Sequence, residues 1–370
     1  MLIGSPTEIK PQEFRVGMRP DAVREARAHG HDVLIQSGAG LGSGYTDADY
    51  ELAGAEIVAD AETLFGRAEM VVKVKEPQAQ ERALLRRGQV LFTYLHLAPD
   101  PEQTRDLLAS GVTSIAYETV TDLRGGLPLL APMSEVAGRL APQAGSWALQ
   151  KANGGEGVLL GGVPGVRPAN VVIIGGGVVG TAAARVAAGM GANVTVLDRS
   201  IQRLSYLDDI FNGRLTTQYA TAAATADLLP TADMVIGAVL IPGAAAPKLI
   251  RREQLSVMKP GAVLVDVAID QGGCFETSRP TTHHDPIYEV DGVVHYCVAN
   301  MPGAVPRTST QALGNATLPF VLALADKGWR QAVQDDPHLR AGLSTHEGKL
   351  TSAPVGLALG MESVAAETLM

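Results

Sequence analysis

The sequence predicts an α/β protein of two domains, one inserted into the other. The chain has 370 residues, more than the roughly 250 to 300 at which a single hydrophobic core stops growing. Hydrophobic residues make up 46% of it and charged residues 19%, which provides enough apolar surface for folded cores. Two separate stretches alternate apolar runs with helix-period segments, and a long helical pattern lies on each side of the second stretch. This alternation is typical of parallel sheets covered by helices.

The first stretch extends from residue 2 to about residue 127. Its apolar runs predict strands at 33–38, 70–77, 89–96 and 112–118. The charged segments between the runs have helical spacing and end at a glycine, as helices commonly do. We therefore expect a largely parallel sheet in this part of the chain.

The second stretch begins at "NVVIIGGGVVG" and continues through "LTTQYA", "DMVIGAV", "AVLVDVA" and "VVHYCVANMP". Helical patterns at 134–151, interrupted by Pro142, and at 308–329 flank it. We predict an inserted domain at 131–307, with 308–370 returning to pack on 1–130. A separate C-terminal helical tail is the alternative.

Composition favours a small-molecule partner over nucleic acid or membrane. The net charge is -9 and the pI about 5.4, whereas nucleic-acid binding usually needs a clustered basic face. The two cysteines, Cys274 and Cys297, have no metal-ligand spacing, so a reducing compartment is expected. Charged residues occupy the N-terminus where a signal peptide needs its apolar core, and glycines break the uncharged run between Arg167 and Arg185. A soluble, cytoplasmic protein is predicted.

A glycine loop is the strongest single motif. Gly175, Gly177 and Gly180 form GxGxxG after the apolar strand "VVII", and the next strand ends at Asp198, 18 residues past Gly180. In a Rossmann fold these glycines allow a tight turn, close approach to a pyrophosphate and close helix packing. Asp198 favours NAD over NADP because it binds ribose hydroxyls and repels a 2′-phosphate, although Arg199 follows it. The alternative is a glycine-rich turn in a domain without nucleotide.

Basic residues near two predicted strands are candidates for substrate binding. Arg15 lies beside the first strand-turn, and an arginine fork suits a carboxylate; a solvated surface arginine is the alternative. Lys73 and Lys75 alternate with valines, so both should point to one face of a strand near its C-terminal end. Parallel domains place their sites at that end. Lys75, the later of the two, is the better candidate, and a lysine reaching solvent at the sheet rim is the alternative.

Acid–base candidates follow two other predicted strands. His96 ends the apolar run 89–96, so it should share the crevice with Lys75, unless it is a core histidine. Asp266 and Asp270 flank the end of a strand in the second domain. Asp266 is expected inside the strand and Asp270 beyond it, near the reacting end of a nucleotide; an ordinary turn carboxylate is the alternative.

No metal site is predicted. His29 and His31 surround Gly30 at a predicted helix end, and His283-His284 lies in a polar loop. Neither pair has an evident convergent carboxylate or cysteine, so solvated loops are expected.

Eight segments together, spread in order over nearly the whole chain, resemble the L-alanine dehydrogenase family. They are "GSPTEIKPQEFRVGMRPDAV", "VVKVKEP", "TYLHLA", "GGGVVG", "VLDRS", "LIPGAAAPKLI", "VDVAIDQGG" and "VANMPGAVPRTST". The resemblance implies a substrate domain made from both chain ends, an inserted Rossmann domain and a homohexamer. It also implies oxidative deamination of L-alanine to pyruvate and ammonium with NAD, and the reverse reaction.

The resemblance assigns roles to individual residues. Arg15 and Lys75 would hold the substrate carboxylate and neighbouring oxygen, and His96 and Asp270 would be the acid–base groups. Some members have a serine where this chain has Ala220-Thr221. The cofactor site would comprise Ser134, Gly175, Gly177, Val178, Gly180, Asp198, Arg203, Val239, Leu240, Val267, Ala268, Ile269, Asp270, Arg279, Val298, Ala299, Asn300 and Met301.

Three alternatives stand beside this interpretation. A transhydrogenase α subunit shares the glycine loop and the "VDVA" strand but differs where this chain has Lys75, His96 and Asp270. A saccharopine-type or other amino-acid dehydrogenase is the second. A non-catalytic binding protein is the third, and it is disfavoured because ionisable groups at strand ends are costly without a ligand.

Overall fold

The computed structural model describes residues 1–239 and 247–370. They form two compact units: Met1–Met133 with Val305–Met370, and Ser134–Ala304. Within the described ranges, no helix combines the length and apolar character needed to cross a membrane.

Strands and helices alternate through most of both units. The strands are β1 Leu2–Ser5, β2 Asp32–Gln36, β3 Glu56–Val58, β4 Met70–Val72, β5 Val90–Thr93, β6 Thr113–Ala116, β7 Asn170–Ile174, β8 Asn193–Asp198, β9 Thr216–Tyr219, β10 Met234–Gly237, β11 Val263–Asp266, β12 Ile287–Val290, β13 Val293–Tyr296, β14 Leu343–His346 and β15 Lys349–Leu350. The helices are α1 Pro20–Ala28, α2 Asp47–Leu52, α3 Ala61–Arg67, α4 Ala79–Arg82, α5 Pro101–Ser110, α6 Ala131–Ala148, α7 Val178–Gly189, α8 Ile201–Phe211, α9 Ala222–Leu228, α10 Pro306–Lys327, α11 Trp329–Asp335, α12 Pro337–Arg340 and α13 Ala353–Leu359.

The first unit is built on one sheet with the strand order β15-β14-β6-β5-β4-β1-β2-β3. The six strands from β1 to β6 run parallel, and β14 joins β6 antiparallel. Fully buried apolar side chains such as Ile3, Val71 and Phe92 form the central strands, as expected for a sheet covered on both faces. Because β1, β4, β5 and β6 are parallel, the segments that follow them meet at one edge of the sheet.

The second unit has the strand order β12-β13-β11-β10-β7-β8-β9. All neighbours are parallel except β12, which pairs antiparallel with β13. The sequence interpretation missed β12. Asp291 and Gly292 join these two strands with φ angles of 49° and 81°, the left-handed pair that an Asp-Gly hairpin turn requires. That dipeptide is a local signal from which the hairpin could have been predicted.

The predicted interruption at Pro142 does not occur, since α6 is continuous from Ala131 to Ala148. A proline inside a helix costs roughly 3 kcal/mol or more. Ala141 and Ala148 are completely buried against the core of the second unit, so packing on both sides of the proline outweighs the lost hydrogen bond.

Candidate active site

The glycine loop of the second unit forms an open backbone cradle between β7 and α7. Gly175 has a φ of 104°, and α7 begins at Val178 with no side-chain cap from Gly177. A Cβ at Gly180 would lie 1.7 Å from the Gly175 carbonyl oxygen, whereas one at Gly177 would meet nothing within 4 Å. Uncapped N–H groups beside open space fit a pyrophosphate.

Asp198, the last residue of β8, is fixed beside this loop. Its Oδ2 accepts a hydrogen bond from Gly176 N at 2.7 Å and its Oδ1 accepts one from Ser200 N at 2.8 Å. Arg203 also contacts the loop, donating to the Gly176 carbonyl and, at 2.5 Å, to Thr181 Oγ1. The carboxylate therefore combines a structural contact with the position expected of a ribose-binding residue.

Most of the other residues predicted for the cofactor site follow parallel strands of the same sheet. Val239 comes after β10, the run 267–270 after β11 and the run 298–301 after β13, so they share an edge with Gly175 and Asp198. Val178 is the first residue of α7 and Ser134 lies within α6. The guanidinium of Arg279 stacks 4.0 Å from the Tyr288 ring centroid. Leu240 lies outside the described residues.

The two candidate aspartates after β11 have different environments. Asp266 is wholly buried and accepts hydrogen bonds from Ala268 N at 3.0 Å, Cys274 N at 2.8 Å and Ser278 Oγ at 2.5 Å. Asp270 is exposed in a 3₁₀ turn, and its Oδ2 lies 3.4 Å from the backbone nitrogen of Asn300. Asp266 therefore organises the loop, and Asp270 is the carboxylate accessible to a ligand.

Arg15 is buried in the first unit, so the solvated-surface alternative is wrong. Its side chain is 2% exposed. Glu13 accepts from Nε at 2.7 Å and from Nη2 at 2.5 Å, and Nη1 lies 3.0 Å from Met133 Sδ. Burial alone would lower the pKa of the Arg15 guanidinium, but the Glu13 carboxylate raises it above its ordinary value. The guanidinium stays charged and is held in one orientation.

The predicted strand 70–77 is shorter in the structure, where β4 ends at Val72 before either lysine. Lys73 is fully buried, and its Nζ lies 3.1 Å from Glu8 Oε2 and 2.6 Å from Glu81 Oε1. Lys75 is 10% exposed, and its Nζ is 3.7 Å from Glu76 Oε2. Glu8 also accepts from the backbone nitrogen of residue 74 at 2.7 Å, while Lys73 N still donates to the Phe92 carbonyl oxygen at 3.1 Å. The structure thus gives Lys73 a structural role and leaves Lys75 as the candidate.

His96 does not end its strand either. β5 stops at Thr93, and His96 has a φ of 49° and a side chain that is 41% exposed. The core-histidine alternative is therefore wrong. Glu118 accepts from the backbone nitrogens of Leu95 and His96 at 3.2 Å and 2.7 Å, and these contacts replace the next strand-pairing bonds.

Comparisons with known proteins match this architecture along the whole chain. Residues 4–137 match the family model for the alanine dehydrogenase/PNT N-terminal domain, and residues 141–353 match the model for its C-terminal domain. The chain belongs to the alanine dehydrogenase/PNT family. The alanine dehydrogenase of Halomonas elongata is 62% identical over 370 residues, 100% of both chains.

Solved structures of this family agree with the fold. A solved L-alanine dehydrogenase matches with a TM-score of 0.94 and 51% identity, covering 97% of this chain and 99% of that chain. A transhydrogenase from Sinorhizobium meliloti matches with a TM-score of 0.83 and 26% identity, covering 95% and 100%. Of these two structures, the L-alanine dehydrogenase has both the higher sequence identity and the higher TM-score.

The sheet edge that carries Arg15, Lys75 and His96 also contains carboxylates that the sequence interpretation missed. Glu8 and Glu13 follow β1, Glu81 lies in α4 and Glu118 follows β6. Each pairs with a basic residue or with a backbone amide at the edge where β1, β4, β5 and β6 end. The strand-end rule used for His96 would also have selected Glu118, since the predicted strand 112–118 ends at that residue.

Of the two histidines at the end of α1, His31 is buried and not solvated as predicted, whereas His29 is exposed. His31 Nε2 lies 2.7 Å from Asp326 Oδ1, and His29 Nδ1 lies 2.9 Å from Asp326 Oδ2. Asp326 belongs to α10, 295 residues from His31, so no local pattern could reveal it. Among the residues that the structure describes, no group of three or more His, Cys, Asp or Glu could hold a metal ion.

Proposed function

We propose that this chain oxidises L-alanine to pyruvate and ammonium with NAD and catalyses the reverse reductive amination. One observation supports the proposal. The chain matches alanine dehydrogenases over its full length, and it also places the buried Arg15, Lys75 and the imidazole of His96 after parallel strands of one sheet. The transhydrogenase alternative is disfavoured because that structure is only 26% identical and its class differs at Lys75, His96 and Asp270.

Arg15 and Lys75 would bind the substrate carboxylate and its neighbouring oxygen. Both are cations in largely buried positions, where attraction to an anion is weakly screened. Glu13 keeps the guanidinium in a fixed orientation, so little ordering of Arg15 would be needed when the substrate arrives.

His96 and Asp270 would move the protons. A bound nicotinamide would supply the acceptor for the hydride that leaves the alanine Cα. Water then adds to the resulting iminium and gives a carbinolamine, which collapses to pyruvate and ammonia. Each of these oxygen-centred steps needs a proton transferred, and imidazole is the side chain best suited to this near neutral pH. We assign the transfer to the half-exposed His96, with Asp270 as the second acid–base group.

NAD is the proposed nicotinamide cofactor. The Gly180 packing and the open N-terminus of α7 fit its pyrophosphate, and the negative charge of Asp198 would disfavour the 2′-phosphate of NADP. Arg203 and the residues after β10, β11 and β13 would complete the site, together with Ser134 and Arg279. The first unit would then serve as substrate domain and the second as NAD domain. A homohexamer and a cytoplasmic location stay predictions of the sequence.

The test is NADH formation by the purified protein with L-alanine, beside L-serine, glycine and 2-hydroxy acids, and with NADP in place of NAD. We expect turnover that prefers L-alanine and NAD. His96→Ala should abolish turnover and retain NADH binding. Absence of turnover on every amino acid, with NAD still bound, would refute the dehydrogenase proposal and favour a transhydrogenase-type binding subunit. Near-normal kcat in His96→Ala would refute the role of His96.

A further inference from the structure

His96 sits in a backbone conformation that its own residue type does not favour. Its φ of 49° lies in the left-handed region, which non-glycine residues rarely adopt and keep only where the surroundings impose it. The chain leaves β5 at Thr93 and enters α5 at Pro101. A contact from another part of the chain is therefore expected to stabilise this turn.

Glu118 makes the contacts that hold it. Its Oε1 accepts from His96 N at 2.7 Å, and both of its oxygens lie 3.2 Å from Leu95 N. The Glu118 side chain is only 17% exposed, so these charge-assisted bonds are partly shielded from water. β6 brings Glu118 to this place, because Thr93 pairs in register with Ala116 at the ends of two parallel strands.

The same carboxylate faces the imidazole. Glu118 Oε1 lies 4.0 Å from His96 Nδ1. The Tyr94 ring stacks on the imidazole, with the two ring centroids 5.8 Å apart and an interplanar angle of 7°. Tyr94 is fixed in turn, since its hydroxyl donates to the Leu129 carbonyl oxygen at 2.5 Å. The ring is therefore braced on one face, with its Nδ1 edge towards a carboxylate.

We propose that Glu118 is a positioning residue for His96. It holds the left-handed turn through two backbone amides, and its carboxylate keeps the Nδ1 edge of the imidazole directed towards it. Nε2 is then the nitrogen that exchanges protons with substrate. A carboxylate orients a catalytic imidazole in the same way in hydrolase triads. This inference rests on the proposed function of His96.

The experiment compares Glu118→Ala and Glu118→Gln with Glu102→Gln as matched control, since the Glu102 side chain is 74% exposed. We expect Glu118→Ala to lower kcat for pyruvate amination by about 10- to 100-fold, part of the 10²- to 10⁴-fold typical of general acid–base catalysis. The Kd for NADH and the KM for NADH should stay within twofold, as should all constants of Glu102→Gln. Amide hydrogen exchange in a peptide covering residues 94–97 should accelerate in the alanine variant.

Glu118→Gln keeps an oxygen for the amides and removes the charge. We expect this variant to retain slow amide exchange and to have a kcat about tenfold lower than the wild type. It also tests the proposal if the alanine variant does not fold. Wild-type kcat in both variants would overturn the proposal, and wild-type kcat in the glutamine variant alone would overturn its electrostatic part. His96→Ala is assayed in parallel. If it is inactive while the Glu118 variants are normal, the proposed function stands and only the role of Glu118 fails.

Discussion

Replacing Lys73 with methionine is expected to destabilise the unit formed by Met1–Met133 and Val305–Met370. The Lys73 side chain is 0% exposed, and those of its partners Glu8 and Glu81 are 1% and 3% exposed. Burial alone would lower the pKa of the Lys73 ammonium, but the two carboxylates raise it above its ordinary value, so the lysine is charged. Its removal leaves two buried carboxylates without their cation.

Breaking a buried ion pair on one side costs about 3 to 5 kcal/mol. For a unit of about 200 residues, each kcal/mol changes Tm by about 2 to 4 °C, so Lys73→Met should lower Tm by roughly 10 °C. Thermal unfolding is to be followed at one fixed protein concentration, because oligomerisation makes Tm concentration-dependent. Lys75→Met is the matched control: its ammonium lies 3.7 Å from Glu76, so Tm should change little while turnover is lost.

A double variant tests the explanation. Lys73→Met combined with Glu8→Gln removes one of the carboxylates left unpaired, so it should recover part of the lost Tm. A change of less than 2 °C in Lys73→Met would refute the reasoning, as would a double variant less stable than the sum of its single changes.

Two further predictions concern the second unit. Gly180→Ala places a Cβ 1.7 Å from the Gly175 carbonyl oxygen, whereas a Cβ at Gly189 in the same helix meets nothing within 4 Å. In fluorescence titrations Gly180→Ala should therefore weaken NADH binding at least about tenfold, and the control Gly189→Ala should not. Equal NADH affinities of the two variants would contradict the proposed cradle. Burial first, then a hydrogen bond with Asp233 and the charge of that residue, raise the pKa of Glu156 from 4.5 to about 7. The folded chain therefore holds a proton that the unfolded chain has lost over this range, so stability should fall as pH rises from about 4.5 to 7. Glu156→Gln should flatten that part of the Tm profile, and an unchanged slope would argue against a protonated carboxyl there.

Local sequence signals were sufficient to predict the glycine loop and the elements around it. The strand, the three glycines, the small-residue helix and the strand ending at Asp198 all lie within 29 consecutive residues from Asn170. Each element has its own short-range pattern, and parallel pairing of β7 with β8 places their ends together. The prediction needed no knowledge of distant residues, so the structure and the sequence interpretation agree there.

Long-range partners explain the errors in the first unit. The apolar run to His96 reads as one strand, but Glu118 takes the amides of Leu95 and His96 and ends the pairing. His31 was predicted to lie in a solvated loop, but it is buried beside Asp326 of α10. A hydrophobic pattern in the sequence predicts which residues are buried. It does not predict which distant carboxylate forms a hydrogen bond with a buried or half-buried polar group.

The two lysines after β4 illustrate what decides between structure and function at a strand end. Both are cations removed from most of the solvent, and burial of a charge is unfavourable unless it is compensated. Lys73 meets two carboxylates at 3.1 Å and 2.6 Å, which compensates its charge within the fold. Lys75 lies 3.7 Å from one carboxylate, a longer contact that compensates its charge less and is consistent with the proposed binding of an anionic substrate. The carboxylates within reach, more than the position on the strand, distinguish the structural lysine from the proposed substrate lysine.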